Sequence, residues 1–430
     1  MRLFSKKKPL WFPLDNAAKI YPPTANAKRA HVFCFSALLD EEIQSEFLIK
    51  AVENVLNHYP TFKTTLKRGA FWYYLEENKK PIKVFVETPY YLKSINYKEN
   101  NGYLFQVYHI RNKITIKFFH ALTDGTGGFT FFTEVITEYL KLKGHEITLE
   151  GIVKPINEPY QLSSADDSFL RYEKHTNEKV EKTPRPFSIT GTPFSYDGCG
   201  MITAEIDLES VKNLAKEHNA SITAYLSAIY AQSVYQCFLK NRPNGNKLVN
   251  LLVPCNLRKK FGGETMRNFT MFSRVMLDYN KEISLSECVK SISQQILDGL
   301  TDKNLNKIIH DNVKLEKNFF IKIMPLSIKN LVMRLVYSRV GECLQTIIFS
   351  NLGLVNLPES VSKHVNMMTF AITPTFSCGH QVGALGFNGK LYITFSRNFV
   401  ETSIEKSFVR QLTQNGVKVK VHSNYWESKL

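Results

Sequence analysis

Residues 113–143 change their apolar period part-way along, and this change constrains the fold more than any other feature of the sequence. Ile114, Ile116 and Phe118 alternate with Thr115 and Lys117, the period-two pattern of a half-buried strand. Further on, Phe131, Phe132, Val135, Ile136, Tyr139 and Leu140 fall on one stripe of a helix that Gly144 can end. The chain must therefore pass from strand to helix across the turn His120-Ala121-Leu122-Thr123-Asp124-Gly125-Thr126-Gly127-Gly128. His120 stands at that junction on the parity of the apolar side chains. Two readings fit it equally. In one, Asp124 caps the helix and His120 is a satisfied core ring. In the other, a titratable ring at a strand end reaches a substrate past a flexible backbone.

A chain of 430 residues has room for roughly two or three domains. Lysine and arginine outnumber aspartate and glutamate 55 to 39, a formal charge of +16, which favours anionic partners without choosing among them. The lysines are scattered, with no zinc-finger or RNA-binding spacing, so nucleic acid is not expected as a partner. The seven cysteines are an odd number without a Cys-x-x-Cys pair, which argues against a disulfide framework or a structural zinc. The first thirteen residues are basic but lack the apolar core of a signal peptide. The longest apolar run, 222–239, is broken by Ser227, Gln232, Ser233 and Gln236 and reads as a buried helix rather than a span. A cytoplasmic setting is the expectation.

The opening residues, through Ile20-Tyr21-Pro22-Pro23, read as an extended segment. Residues 166–198 turn polar and proline-containing and read as a surface linker between an N-terminal lobe, 1–165, and a C-terminal lobe, 199–430. Asn388-Gly389 is a strong hairpin signal. Strand, short loop and helix recur at 114–140 and 391–412, hinting at two similarly built lobes. Residues 327–339 form a basic amphipathic segment, with Lys329, Arg334 and Arg339 beside Leu331, Val332, Leu335 and Val336. It fits either contact with a membrane or a surface helix packed on the core.

Histidine has the side-chain pKa nearest neutrality, so it is the usual general base for a hydroxyl, amine or thiol. An aspartate four residues on could orient the ring, or brace the loop through an arginine. No Gly-Lys-Ser/Thr follows the glycines, so a P-loop is excluded, and two residues alone make no metal site.

The run His120-Ala121-Leu122-Thr123-Asp124-Gly125 resembles the His-x-x-x-Asp-Gly signature of the CoA-dependent acyltransferase superfamily, which includes chloramphenicol acetyltransferase, condensation domains and alcohol acyltransferases. Other stretches agree in order along the chain: 57–64, Val253 to Arg258 with Asn268-Phe269 downstream, Phe349-Ser350-Asn351-Leu352-Gly353, and Asn388 to Leu391. Residues 13–19 resemble the stand-alone bacterial alcohol acetyltransferase-like members.

The resemblance implies a mixed α/β fold of two chloramphenicol-acetyltransferase-like lobes, each a mixed sheet with helices, with His120 in a tunnel between them. An acyl-CoA or acyl carrier protein would donate, with no permanently bound cofactor, and a small alcohol or lipid-like acceptor would receive. His120 would be the base, worth roughly 10²–10⁴-fold. Asp124 would be structural and paired with Arg258, against the plainer reading of Arg258 as a surface arginine. Gly125 would line the tunnel. Ser350 or Asn351 would stabilise the oxyanion, worth about 2.7–4 kcal/mol, or else form an ordinary polar turn. The second histidine common just before the catalytic one is here Phe119, which favours an alcohol acyltransferase over peptide-bond formation. The plant Asp-Phe-Gly-Trp-Gly segment is absent, and any carrier protein would come in trans. Rival readings are a non-catalytic binder of acyl-CoA or a carrier, as scaffold or sensor, and a charge-driven nucleic-acid binder.

Overall fold

The strand Lys113–Phe119 is hydrogen-bonded to Val32–Leu39 on one side and to Phe105–Ile110 on the other. The structure, a computed structural model, describes residues 9–89, 92–148, 162–178, 182–195, 198–242 and 244–424. The strand is buried on both faces rather than one. Thr115 and Lys117 are as inaccessible as Ile114 and Ile116. Each buries with a partner: Thr115 Oγ1 meets Ser36 Oγ at 2.7 Å, and Lys117 Nζ donates to the Lys93 carbonyl at 3.0 Å. Burial pushes the Lys117 ammonium down to about 7.

Five strands make this sheet, in the order Val365–Ile372, Val32–Leu39, Lys113–Phe119, Phe105–Ile110, Val84–Val86. The first of them comes from the second half of the chain and pairs antiparallel with Val32–Leu39. A seven-stranded sheet runs Thr270–Asp278, Leu248–Asn256, Ile347–Leu354, His380–Phe387, Lys390–Arg397, Gly200–Asp207, Val419–Ser423. Each sheet has its own core, one around Phe35, Phe118 and Phe131, the other around Ile229, Phe349 and Phe395. These are the two mixed α/β lobes. A small third sheet joins Trp11–Pro13 to Tyr73–Glu77 and Thr64–Arg68.

The local signals hold. The helix Gly125–Leu142 follows the turn, with Asp124 at its N-cap accepting from the Gly127 amide. Asn388 and Gly389 turn their hairpin with φ of 46° and 72°, the left-handed pair that a two-residue loop requires. Strand and helix recur at Lys390–Arg397 and Ser403–Gln414. The helix Ile222–Val234 is buried on all sides from Ala224 onward.

Three expectations change. The opening segment is extended at Trp11–Pro13 but helical after it: a 3₁₀ turn at Ala17–Ile20 leads into Tyr21–Thr24. Prolines 22 and 23 fall in that first turn, where a missing N–H costs nothing. The linker is more than a surface connection, because Phe187 and Ile189 enter the second core and the Phe187 amide donates to the Leu248 carbonyl. Of the two readings of 327–339, an apolar stripe packed on the core does not hold: the helix Leu326–Val340 turns Lys329 and Asn330 inward.

Candidate functional site at the junction of the lobes

The turn after Lys113–Phe119 lies against residues 256–270 of the other lobe. Thr123 Oγ1 donates to the Met266 carbonyl at 2.6 Å. A Cβ on Gly127 would stand 2.3 Å from that same carbonyl oxygen, so only glycine allows the helix start to approach so closely.

Asp124 is buried and saturated. Its Oδ1 accepts from Gly127 N at 3.0 Å and Arg258 Nη2 at 3.1 Å. Its Oδ2 accepts from Arg258 Nη1 at 2.8 Å, Phe269 N at 2.8 Å and Thr270 Oγ1 at 2.9 Å. Arg258 also donates to the carbonyls of Thr265 and Arg267. Burial alone would raise the Asp124 carboxyl, but the guanidinium and these donors hold it below its ordinary value. Asp124 thus braces the two lobes, and among the described residues no hydrogen bond joins it to the His120 ring.

The partner of that ring is Asn268. Its Nδ2 donates to Asp15 Oδ2 and to the His120 carbonyl, each at 3.1 Å. Both are acceptors only, so the amide orientation is fixed and Oδ1 must face His120 Nδ1, 2.9 Å away. Nδ1 therefore carries the proton, and Nε2 presents a lone pair. Among the described residues Nε2 has no hydrogen-bond partner. Asp15, itself buried, also takes Ala18 N at 2.7 Å and Arg267 Nε at 3.4 Å. The half-buried imidazole stacks on Tyr21, centroids 4.6 Å apart, and meets Phe33 edge-on at 5.2 Å. Burial lowers its pKa, opposed in part by Asp124, the Asn268 bond and Asp15.

A second imidazole comes from across the sheet. Val32 is paired with Phe119, and the His120 amide donates to the His31 carbonyl at 2.9 Å. His31 has φ of 49° and its Nε2 lies 2.9 Å from Thr24 Oγ1, whose proton goes to the Ile20 carbonyl. Burial, with His120 and Arg29 nearby, pushes His31 down to about 3, so it is neutral wherever the protein is folded at ordinary pH.

The remaining predicted residues lie on the same junction. Gly125 abuts the strand Ile347–Leu354, where a Cβ would come within 3.3 Å of Leu352 Cδ2. On that strand Ser350 pairs with Gly383, whose own missing Cβ lets it pack on the Phe370 backbone of the other sheet. Asn351 is committed: its Nδ2 donates to Thr223 Oγ1 at 3.0 Å and its Oδ1 accepts from Gly353 N at 2.9 Å. Among the described residues the Ser350 hydroxyl has no such partner. Roles for Asp15, Tyr21 and His31 at the ring were not legible in the sequence. The one signal for His31 is the strand register that sets it beside His120.

Asn268 is a positioning residue by this geometry. With His120 as the base that the resemblance implies, Asn268→Ala is expected to lower kcat roughly 3–10-fold, the scale of one hydrogen bond, and to move the acid limb of the pH profile. A rate and profile equal to the parent protein's would show that the Nδ1 contact does not set the tautomer.

Comparison with known proteins supports the architecture. Residues 201–383 match the alcohol acetyltransferase family. Arg258, Asn268 and Ser350 lie within that match, and His120 and Asp124 lie outside it. No curated protein sequence matches the chain. Among solved structures, TRI101 of F. graminearum, complexed with coenzyme A and deoxynivalenol, aligns at a TM-score of 0.63 and 8% identity, covering 97% of this chain and all (100%) of that one. Polyketide synthase associated protein 5 of Mycobacterium tuberculosis aligns at 0.59 and 13%, covering 93% and 97%. The epimerization domain from the third module of tyrocidine synthetase B aligns at 0.58 and 13%, covering 96% and 98%. The chain has their two-lobed fold, and the resemblance to CoA-dependent acyltransferases and condensation domains read from the sequence stands.

Proposed function

We propose that this protein is an acyltransferase that moves an acyl group from a thioester donor, acyl-CoA or a carrier-bound thioester, to a hydroxyl or, less favourably, an amine. The observation that carries this reading is the His120 ring, with Nδ1 held by Asn268 and Nε2 uncommitted. Nε2 takes the acceptor's proton as its oxygen attacks the thioester carbonyl. Ser350 donates to the oxygen that becomes negative, a role Asn351 is ill placed to share because its amide is already engaged. Collapse forms the ester and breaks the carbon–sulfur bond, and the imidazolium returns its proton to the departing thiolate. The excess of cations suits the phosphates of CoA or of a phosphopantetheine arm. The match to the alcohol acetyltransferase family supports the hydroxyl as acceptor.

The test is thiol release from a panel of acyl-CoA thioesters, with and without added alcohols. Release accelerated by an alcohol supports the reading, and tight acyl-CoA binding without turnover would replace it with the non-catalytic binder. The pH dependence has a definite sign. The base acts in its neutral form, and burial lowers its pKa. So kcat/KM is expected to stay flat from high pH down past the ordinary histidine value of ~6.5 and to fall only below it. A limb centred above that value would assign the base to another group.

A further inference from the structure

The helix Leu326–Val340 is packed inside out. Beyond its first residue, Leu326, the side chains it buries among those described are polar: Lys329 is 2% exposed and Asn330 is 6%. Lys329 Nζ donates to the Phe71 carbonyl at 2.8 Å and sits 3.4 Å above the Trp72 ring, and Asn330 Nδ2 donates to Tyr73 Oη at 2.9 Å. Arg334 Nε donates to the Pro23 carbonyl at 2.6 Å, and the Leu326 amide to the Ala70 carbonyl at 2.9 Å. These bonds clamp the polar face to the protein. The opposite face presents Ile328, Leu331, Val332, Leu335 and Val336 to solvent, a continuous stripe at helical spacing. The short helix before it, Phe319–Ile323, adds Phe319 and Phe320 at 65% and 74% exposure. Scattered apolar side chains need no explanation, but a contiguous face of this kind marks an interaction site.

Charge selects the occupant. Residues 317–341 carry no carboxylate, and of their cations Lys322 and Arg339 are exposed beside the apolar stripe, whereas Lys317 pairs with Glu173 at 2.8 Å and Lys329 and Arg334 serve the clamped face. A second copy docking through a two-fold axis would set this patch against itself, cation against cation. An anionic bilayer surface satisfies both the apolar stripe and the flanking cations. Among the described residues no helix is long and apolar enough to cross a membrane, so any contact with a bilayer would be at its surface.

We propose that Phe319–Ile323 and Leu326–Val340 form a docking face for anionic lipid bilayers, with the two phenylalanines and the apolar stripe entering the headgroup–acyl boundary. The face adjoins the candidate site: Tyr337, on the same helix, meets the His31 ring edge-on with centroids 5.7 Å apart. Resting on the acyltransferase reading, this places the site where a lipid-like acceptor leaving the bilayer would reach it. The docking face itself does not depend on that reading.

The experiment is vesicle co-sedimentation of the full chain, using phosphatidylcholine alone and phosphatidylcholine with about one-third phosphatidylglycerol. Binding is expected to be at least about tenfold tighter to the anionic vesicles, and to weaken as salt rises. The double variant Phe319→Ser with Phe320→Ser is expected to lose at least about tenfold of that affinity. Its thermal midpoint and its thiol release with soluble substrates should match the parent's, because both rings are exposed. Lys322→Glu with Arg339→Glu is expected to remove the preference for anionic vesicles. Failure to sediment with either vesicle, or sedimentation unaffected by both double variants, overturns the proposal. So does light scattering that shows dimers dispersed by the phenylalanine variant, which would make the face a self-association surface. Vesicle binding is read without turnover, so its failure and failure of the acyltransferase reading are distinguishable.

Discussion

His120→Ala is expected to reduce alcohol-dependent thiol release by roughly 10²–10⁴-fold, the range for losing a general base, with the larger loss in kcat rather than KM. The split follows from the geometry. The ring is half-buried and stacked on Tyr21, with its proton-bearing nitrogen on Asn268, so removing it takes away a proton acceptor that matters most in the transition state. Removing the ring also frees the Asn268 Oδ1, while Nδ2 keeps Asp15 and the backbone carbonyl. The surrounding turn should therefore survive. Circular dichroism and a thermal midpoint close to the parent's would confirm that the lost rate is chemical. A variant that folds and still releases thiol at the parent rate would remove His120 from the mechanism. His120→Gln is the control, since its amide fills part of the space yet cannot accept a proton at neutral pH.

The parts of this site that were legible in the sequence are those whose signal is local. The period change at the turn locates His120, the glycines announce the close approach, and the resemblance links Asp124 to Arg258 across 134 residues. The resemblance marks Asn268 and the stretch that holds Asp15, but that these gather at the ring was not legible, because they arrive from far away. Asn268 is 148 residues from His120, and Asp15 is 253 residues from Asn268. Nothing in a lone buried asparagine or aspartate says which amide it will face. His31 depends on strand register, which one sequence does not state. The helix Leu326–Val340 shows a different limit. Periodicity identifies a stripe, but which side of the helix the core takes is decided by hydrogen-bond partners at 70–73 and Pro23. The same holds for Thr115 and Lys117, whose alternation predicts a solvated face that the fold covers.

Asp124→Ala is expected to be the most destabilising single change at the site. The side chains of Asp124 and Arg258 are only 1% and 10% exposed, and removing one partner of a buried pair leaves an uncompensated charge at a cost of about 3–5 kcal/mol. It also strands the amides of Gly127 and Phe269, which now donate to the carboxylate. The pair joins the lobes, so the loss should appear as a lower thermal midpoint and as greater proteolysis between them. Reducing the charge on both sides, Asp124→Asn with Arg258→Met, should cost less than the two single changes added together, because neither ion is left alone. The pH dependence has the carboxylate sign. The folded pKa of Asp124 is depressed, so its contribution is complete above the ordinary aspartate value of ~3.9 and is lost as pH falls through that value towards the folded one. The parent and the Asp124 variants should therefore converge in stability as the solution is acidified. A full loss of turnover in Asp124→Asn with an unchanged midpoint would be the contrary result. It would mean that the carboxylate acts on the chemistry directly, despite having its oxygens engaged by Arg258, Gly127, Phe269 and Thr270.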